Sequence, residues 1–394
     1  MQGKGSYLKR TWCCFKDNVL FFSLLLVLLG SSSNNRNGRM FFCNGFLPEH
    51  IGRIDKVYIH FNDTLSNDTL YICFSRANLP VAVYREIHTG VCADGICKLI
   101  NIRIYWTITG RYLGYVLPDE QELTKKKHVT FSGADYGILH NLLADSLSLL
   151  ANYTLADILP KNTDTLTVDA VSGATVPDLT PYIVADAAYT SHTVWHLVYG
   201  SSRDSLNKVV QSFITISLLD SLINSKNAYD LLWAINNAAI IGQPTEKYIP
   251  YALQMLENGN YIIVKGALNF LDNNLPYSET YQAALLNLLL RSNFDTKRLA
   301  IERIQKFDTL NMLSAQILIQ NLPVESPYVV KALLSVLGKK YVPSGNDIRS
   351  ISNLLDSSNK QVAKSTYNYL VNLKKSNPWL KKRLDQFKKI NSTL

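Results

Sequence analysis

Residues 98–117 read KLINIRIYWTITGRYLGYVL, and this stretch decides the fold class of the first half of the chain. β-Branched and aromatic side chains fill both of its halves, and Gly110 lies between them, a composition that predicts a β-hairpin. Residues 57–61 and 70–74 have the same composition and predict two further strands.

After the hairpin, the spacing of apolar residues changes from that of a strand to that of a helix. Over residues 132–150 one helical face carries Ile138, Leu142, Leu143, Leu147 and Leu150. Strands followed by such a helix predict a mixed α/β domain over residues 40–200.

Beyond Ser205 the strand signals fade and helical spacing predominates. The predicted helices span residues 205–223, 227–240, 245–258, 260–272, 278–291, 295–306, 309–321, 325–337, 346–356, 358–375 and 378–390. Two such helices with their turns take about 30–40 residues, which is the size of a helical repeat. No strict consensus recurs, so we interpret residues 201–394 as a degenerate HEAT-like all-α domain, with an irregular helical domain as the alternative. The predicted fold class of the whole chain is α+β.

The net charge of +9 belongs to the two ends of the chain. Residues 1–18 carry a net charge of +3 and residues 374–394 a net charge of +6, so the residues between them are neutral in total. A composition of 47% hydrophobic and 18% charged residues excludes wholesale disorder. The charge distribution argues against a nucleic-acid-binding face, and no nucleic-acid partner is expected.

The N-terminal segment has the pattern of an export signal. Four basic residues precede a mostly apolar run over residues 19–30, and serines follow it up to Ser33. A membrane-spanning helix needs about 20 apolar residues, so this run is short for a span and typical of a signal peptide. We predict a signal peptide over residues 1–33 and a periplasmic or secreted protein; an uncleaved anchor and a buried helix are the alternatives.

Loss of that signal would leave four cysteines, which allow three disulfide connectivities in an exported chain. Cys92 and Cys97 flank the turn-forming pair Asp94-Gly95 and are the predicted local disulfide. Free buried thiols are the alternative for all four, including Cys43 and Cys73. A metal site is less favoured, since no second cysteine pair or nearby histidine pair completes a tetrahedral set.

The candidate functional motif of the chain is the sequence DAVSGAT at residues 169–175. It resembles the flavinylation motif of FMN-binding domains, found in the flavin-carrying periplasmic subunits of Rnf-type and sodium-pumping NADH:quinone reductase complexes. That motif is Asp, two variable residues, Ser or Thr, then Gly-Ala-Thr, and all five defined positions match. The two residues after it, Val176 and Pro177, depart from the small or hydroxyl residues common in the family.

The resemblance implies that Thr175 forms a phosphoester with FMN, attached by a separate flavin transferase that uses FAD as donor. Gly173 and Ala174 are small enough for the transferase to reach the Thr175 hydroxyl and for backbone N–H groups to approach the phosphate. Ser172 can donate a further hydrogen bond. Asp169 is assigned to transferase recognition or to loop capping, because a carboxylate would repel the phosphate.

Aromatic residues near the motif are candidate stacking partners for the flavin ring. Trp195 is the first choice, with Tyr189 and Trp106 as further candidates, although aromatic side chains more often belong to a core. His192 and His196 have the i, i+4 spacing of zinc ligands but lack a third ligand, so no zinc is expected. The predicted function is an exported flavoprotein that relays electrons to a redox partner through covalent FMN, as an electron-transfer protein or an oxidoreductase component. The alternative is a non-enzymatic helical-repeat binding protein with a vestigial motif.

Overall fold

The computed structural model describes residues 39–43, 46, 48–61, 65, 68–91, 99–118, 120–158, 177–373 and 377–391. The chain divides into two units between Ile214 and Thr215. An antiparallel sheet with helices forms the first unit, and the described residues of the second are helical. This confirms the α+β fold class. The predicted signal peptide over residues 1–33 lies outside the described residues.

Six antiparallel strands form the sheet of the first unit. They are β1 (Arg39–Phe42), β2 (Ile51–Tyr58), β3 (Thr69–Ser75), β4 (Pro80–Thr89), β5 (Ile100–Thr107) and β6 (Tyr112–Leu117), in the spatial order β1-β6-β5-β4-β3-β2. The predicted hairpin is confirmed as β5 and β6, which pair through Ile104 and Tyr115. The strand predicted at residues 57–61 is β2, which begins six residues earlier, at Ile51, and ends at Tyr58. The prediction missed its first part because Gly52, Asp55 and Lys56 are residue types that are rare in strands.

Helices cover one face of the sheet. They are α1 (Gly133–Ala144), α3 (Ala188–Tyr199) and α4 (Ser201–Val210), while the single turn α2 (Leu155–Ile158) packs against α3. Hydrogen bonds join the two layers. The buried Trp106 indole donates to the carbonyl of Val198 at 2.9 Å, and the buried Arg85 guanidinium donates to Ser202 at 2.8 Å.

The helix predicted at residues 132–150 ends at Ala144, so its predicted apolar face is partly wrong. Ser132 and Asp135 form a capping box at its start. Leu147 lies beyond the helix and is 71% exposed. The buried side of α1 is Tyr136, Leu139 and Leu143, one turn apart from each other.

The other face of the sheet carries a cluster of tyrosines. The rings of Tyr71 and Tyr84 stack with centroids 4.5 Å apart, and those of Tyr84 and Tyr105 at 4.8 Å. Cys73 lies in this cluster, and burial raises the pKa of its thiol to about 12. Cys43 and Cys73 form no disulfide, and the predicted pair Cys92 and Cys97 lies outside the described residues.

Eleven α-helices are described in the second unit. They are α5 (Ile216–Ile223), α6 (Ala228–Ala238), α7 (Ile249–Met255), α8 (Tyr261–Asn274), α9 (Glu279–Arg291), α10 (Phe294–Ile304), α11 (Met312–Asn321), α12 (Pro327–Lys340), α13 (Gly345–Ser352), α14 (Lys360–Val371) and α15 (Pro378–Ile390). The predicted helix 205–223 is two helices, α4 and α5, separated by a 3₁₀ turn at Gln211–Phe213. Among the described residues no single helix is long and apolar enough to cross a membrane, although the consecutive segments Ala188–Phe213 and Ile216–Ile223 pass that test when taken together.

The helix caps of the second unit recur with a period of 33 residues. The N-caps of α8, α10, α12 and α14 are Asn260, Asn293, Ser326 and Asn359. Those of α9, α11, α13 and α15 are Ser278, Asn311, Ser344 and Asn377, which have the same spacing and lie 18 residues later. We call the first set the first helices and the second set the second helices of four repeats: 260–292, 293–325, 326–358 and 359–391.

Packing between the repeats follows the same period. First helices contact first helices in the order α8, α10, α12, α14, and second helices do so in the order α9, α11, α13. Core positions recur as well, since Leu271, Ile304, Leu337 and Leu370 are each 33 residues apart and fully buried. Each repeat therefore buries its apolar face mainly against the next one.

Candidate functional site

The candidate flavinylation motif lies in a segment that the structure does not describe. Asp169, Ser172, Gly173, Ala174 and Thr175 all fall within residues 159–176. The described neighbours of this segment are α2 before it and the 3₁₀ turn Pro177–Tyr182 after it. These neighbours show where the described chain stops before the motif and where it resumes after it.

Helix α3 fixes the chain that leads into the motif. Four side chains on one face of α3 each donate a hydrogen bond to a backbone carbonyl of residues 143–153. The pairs are His192 Nε2 to Tyr153 (2.7 Å), Trp195 Nε1 to Asp145 (3.1 Å), His196 Nε2 to Leu150 (3.2 Å) and Tyr199 Oη to Leu143 (2.7 Å). The i, i+3, i+4, i+7 spacing places these four donors on one face of α3.

The start of α3 also fixes the chain that leaves the motif. Ser191 Oγ accepts the backbone N–H of Val184 at 3.0 Å. The 3₁₀ turn at Pro177–Tyr182 packs against the turn at Leu149–Asn152, and Leu179 within it is fully buried. The entry and exit of the segment are therefore both held in place by α3 and the residues bound to it.

Trp195 is placed in the core of this arrangement. Its side chain is 4% exposed and lies against the rings of His196 and Tyr199, with centroids 5.0 Å and 4.6 Å away. Trp106 is fully buried, whereas Tyr189 is half-buried. Trp195 and Trp106 both contribute to the packing of α3, and neither presents an open ring face.

His192 and His196 use their Nε2 atoms on backbone carbonyls. A ring nitrogen that contacts a carbonyl oxygen must carry the hydrogen, so neither Nε2 has a lone pair for a metal. In the described ranges no group of three His, Cys, Asp or Glu side chains could hold a metal ion. Burial lowers the pKa of His196, and the neighbouring His192 lowers it further.

Two buried polar atoms on α3 make no hydrogen bond in the structure: Nδ1 of His192 and Oγ1 of Thr193. Because Nε2 of His192 is the protonated nitrogen, its Nδ1 has a free lone pair when the ring is neutral. A buried polar atom without a partner costs about 1–3 kcal/mol, so these positions favour contact with a further polar group.

A second cluster, which the sequence did not indicate, joins β6, α1 and Cys43, the residue that follows β1. Nε2 of His140 lies 3.6 Å from Sγ of Cys43, and Nδ1 of His140 lies 3.0 Å from the Tyr112 hydroxyl. Burial lowers the pKa of His140, which disfavours the imidazolium that would form if the ring took the thiol proton. We therefore assign this cluster to packing. Cys43 and His140 are 97 residues apart, and no local pattern links them.

Comparison with known proteins gives no family for this chain. No family model matches it, and no curated protein matches it.

Proposed function

We propose that this protein is an exported flavoprotein that carries FMN on Thr175 and relays electrons to or from a partner outside the cytoplasm. The observation that carries the proposal is the sequence DAVSGAT at residues 169–175, in which all five defined positions of the flavinylation motif are present. Covalent attachment suits an exported protein, because a dissociable flavin would be lost from that compartment. FMN supplies one- and two-electron transfer.

In the attachment step the Thr175 oxygen would form a phosphoester with the FMN phosphate of FAD. The phosphoanhydride bond of FAD would break, AMP would leave, and the proton of the hydroxyl would be released. Ser172 donates a hydrogen bond to the phosphate, and Asp169 is read by the transferase. Trp195 belongs to this proposed site as part of the core that positions α3.

Two observations on the described residues next to the motif in the chain support a flavin. First, the described residues on both sides of the segment are held by α3. Second, His192 Nδ1 and Thr193 Oγ1 are buried without partners on this same helix. An isoalloxazine ring has an N–H donor and carbonyl acceptors, which are the groups that an imidazole lone pair and a hydroxyl can bind.

We also propose that the second unit is a HEAT-like stack that provides a binding surface for the redox partner. The support is the 33-residue spacing of the caps from Asn260 to Asn377 and the contacts of each helix with its counterpart in the next repeat. Repeat stacks of this kind commonly present extended binding surfaces.

The test is intact-mass measurement after coexpression with a flavin transferase in an exporting host. The wild-type protein is expected to gain the mass of FMN and to keep flavin fluorescence after denaturation. Thr175→Val should abolish both, because it removes the hydroxyl that is proposed to form the ester. Ser172→Ala should only slow attachment, whereas Asp169→Ala should impair it more strongly.

The matched control is Thr180→Val, at an exposed threonine in the turn that follows the motif. It should carry FMN at the wild-type level. Fluorescence that persists in Thr175→Val would move the attachment site elsewhere. A wild-type protein that stays at the bare polypeptide mass would refute the proposed function.

A further inference from the structure

A row of exposed cations follows the 33-residue period of the second unit. Lys265, Arg298, Lys331 and Lys364 lie at the same position of the four first helices, α8, α10, α12 and α14. All four residues are exposed. Since these helices pack against each other in chain order, the cations lie side by side along one edge of the stack.

Exposed aromatic rings accompany the cations. Tyr261, Phe294 and Tyr328 are 40%, 47% and 56% exposed. Each lies three or four residues before the cation of its own helix, a spacing that makes the two side chains neighbours. The rings of Phe294 and Tyr328 meet with centroids 5.5 Å apart, which shows that the starts of α10 and α12 are adjacent. In α14, Lys360 stands where the aromatic residue would be.

Taken as whole helices, the first helices carry a net positive charge. The four first helices carry nine Lys and Arg residues against three Asp and Glu residues, and α12 and α14 have no acidic residue. Asp272 pairs with Arg303 and Lys306. Glu325 pairs with Lys297, and Glu302 lies 3.9 Å from Arg298. In the described part of the chain, Lys331 and Lys364 have no ion pair. The neutral total of residues 19–373 therefore conceals a local basic row.

We propose that this aromatic and basic row binds an acidic polypeptide in an extended conformation. Packed helices lie about 8–10 Å apart. Three residues of an extended chain cover about 10 Å, at roughly 3.3 Å per residue. A carboxylate at every third residue would thus meet one cation per repeat, and the side chains between them would lie on the aromatic rings.

Spacing and shape favour a polypeptide over other anionic partners. Each strand of a nucleic-acid duplex has one phosphate per about 3.4 Å of helix axis, which is much closer than one cation per helix. A membrane surface is planar and would be matched by a plane of cations, whereas these four lie in a single row. The inference concerns the second unit alone and does not depend on flavin attachment.

The experiment measures fluorescence anisotropy of a labelled twelve-residue peptide with Glu at every third position and Thr and Val between, added to the full chain. Binding is expected, and it should weaken as NaCl rises from about 50 to 200 mM, because exposed charge pairs are screened. Lys331→Glu should weaken binding about three- to tenfold, and Lys331→Glu with Lys364→Glu further still. Tyr328→Ser should weaken binding with an unchanged salt dependence.

The matched control is Lys382→Glu, which makes the same charge change at an exposed lysine of α15, a second helix. It should bind within about twofold of the wild type. Circular dichroism of each variant checks that the helices are intact. Equal weakening by Lys382→Glu, equal binding of a peptide with Lys in place of Glu, or binding to phosphatidylserine vesicles without binding to the peptide would each overturn the proposal.

Discussion

At the scale of single residues, His140 in the first unit shows how burial limits the protonation of a side chain. His140 has the polar contacts of a histidine that activates a thiol. Its Nε2 lies near the Cys43 thiol, and its Nδ1 lies near the Tyr112 hydroxyl. Its ring also lies near the rings of Phe41 and Tyr115, which replace water around it. The apolar contacts lower its pKa and keep the pair neutral.

The lowered pKa of His140 predicts a dependence of stability on pH. In the folded state the pKa lies below the ordinary value of 6.5, so the unfolded chain takes up the proton first as the pH falls. The free energy of unfolding should therefore decrease from pH 7 to pH 5. His140→Gln keeps a polar side chain without this titration and should show a shallower decrease, measured by urea denaturation at several pH values.

A control for this prediction is His50→Gln, since the His50 side chain is exposed. It should reproduce the wild-type pH profile. A His140→Gln profile as steep as that of the wild type would assign the acid sensitivity to other groups, of which His196 is the first to test because its pKa is also lowered.

At the scale of elements, the second unit is organised by its helix caps. Eight consecutive caps are Asn or Ser, and each accepts a backbone N–H of the first helical turn. Caps of this kind satisfy donors that the helix leaves without partners. The caps determine the residue at which each helix begins. The start of a helix in turn determines which of its residues face the next repeat.

A cap variant measures this contribution. Ser326→Ala removes the side-chain acceptor for the N–H of Val329 and should destabilise the protein by about 1 kcal/mol. Ser335→Ala, at an exposed position within the same helix, should be neutral or slightly stabilising, because alanine favours a helix interior. Chemical denaturation compares the two. Equal effects would show that the Ser326 cap has no special role.

The sequence predicted most of these elements but not their period. Ten of the eleven α-helices of the second unit lie within or overlap one predicted helix each, and α5 is the second half of the helix predicted at residues 205–223. The 33-residue repeat was missed because what recurs is a class of residue: Asn or Ser at the caps, and any aliphatic residue at core positions such as Leu271 and Ile304. A search for identical residues finds no such repeat.

The candidate site was predictable to a different degree. Its motif is local in sequence, so DAVSGAT was evident without a structure. The hydrogen bond of Trp195 was not predictable from the sequence, because its acceptor is the backbone carbonyl of Asp145, 50 residues away. Every residue has a backbone carbonyl, so the residue types do not indicate which one is the acceptor. Trp195 is buried among the described residues. Its contact with a flavin stays a prediction, as does the attachment of FMN to Thr175.

At the scale of the whole molecule, the equal repeats predict that the second unit can be shortened by one complete 33-residue repeat. Deleting residues 326–358 removes one repeat and brings the repeat of α10 and α11 next to that of α14 and α15. Because each repeat buries its apolar face against a neighbour of the same kind, the shortened protein should stay helical and unfold cooperatively at a lower temperature. Thermal unfolding followed by circular dichroism tests this.

The comparison is a deletion of residues 326–343, which removes α12 alone and leaves α11 next to α13. This change takes one first helix out of the row and exposes the core residues of α10 and α14 that it covered. It should lose helicity or aggregate. Similar stability of both deletions would contradict the division into two-helix repeats.

The bonds along α3 also bear on the length of the chain between Ile158 and Pro177. The described residues on both sides of it are held by α3, since α2 packs against this helix and Val184 donates its backbone N–H to Ser191. The entropy cost of joining two fixed ends through a flexible connection grows only with the logarithm of its length, and doubling the length adds about 0.6 kcal/mol. An insertion of flexible residues between Ile158 and Pro177 should therefore have little effect on the stability of the sheet.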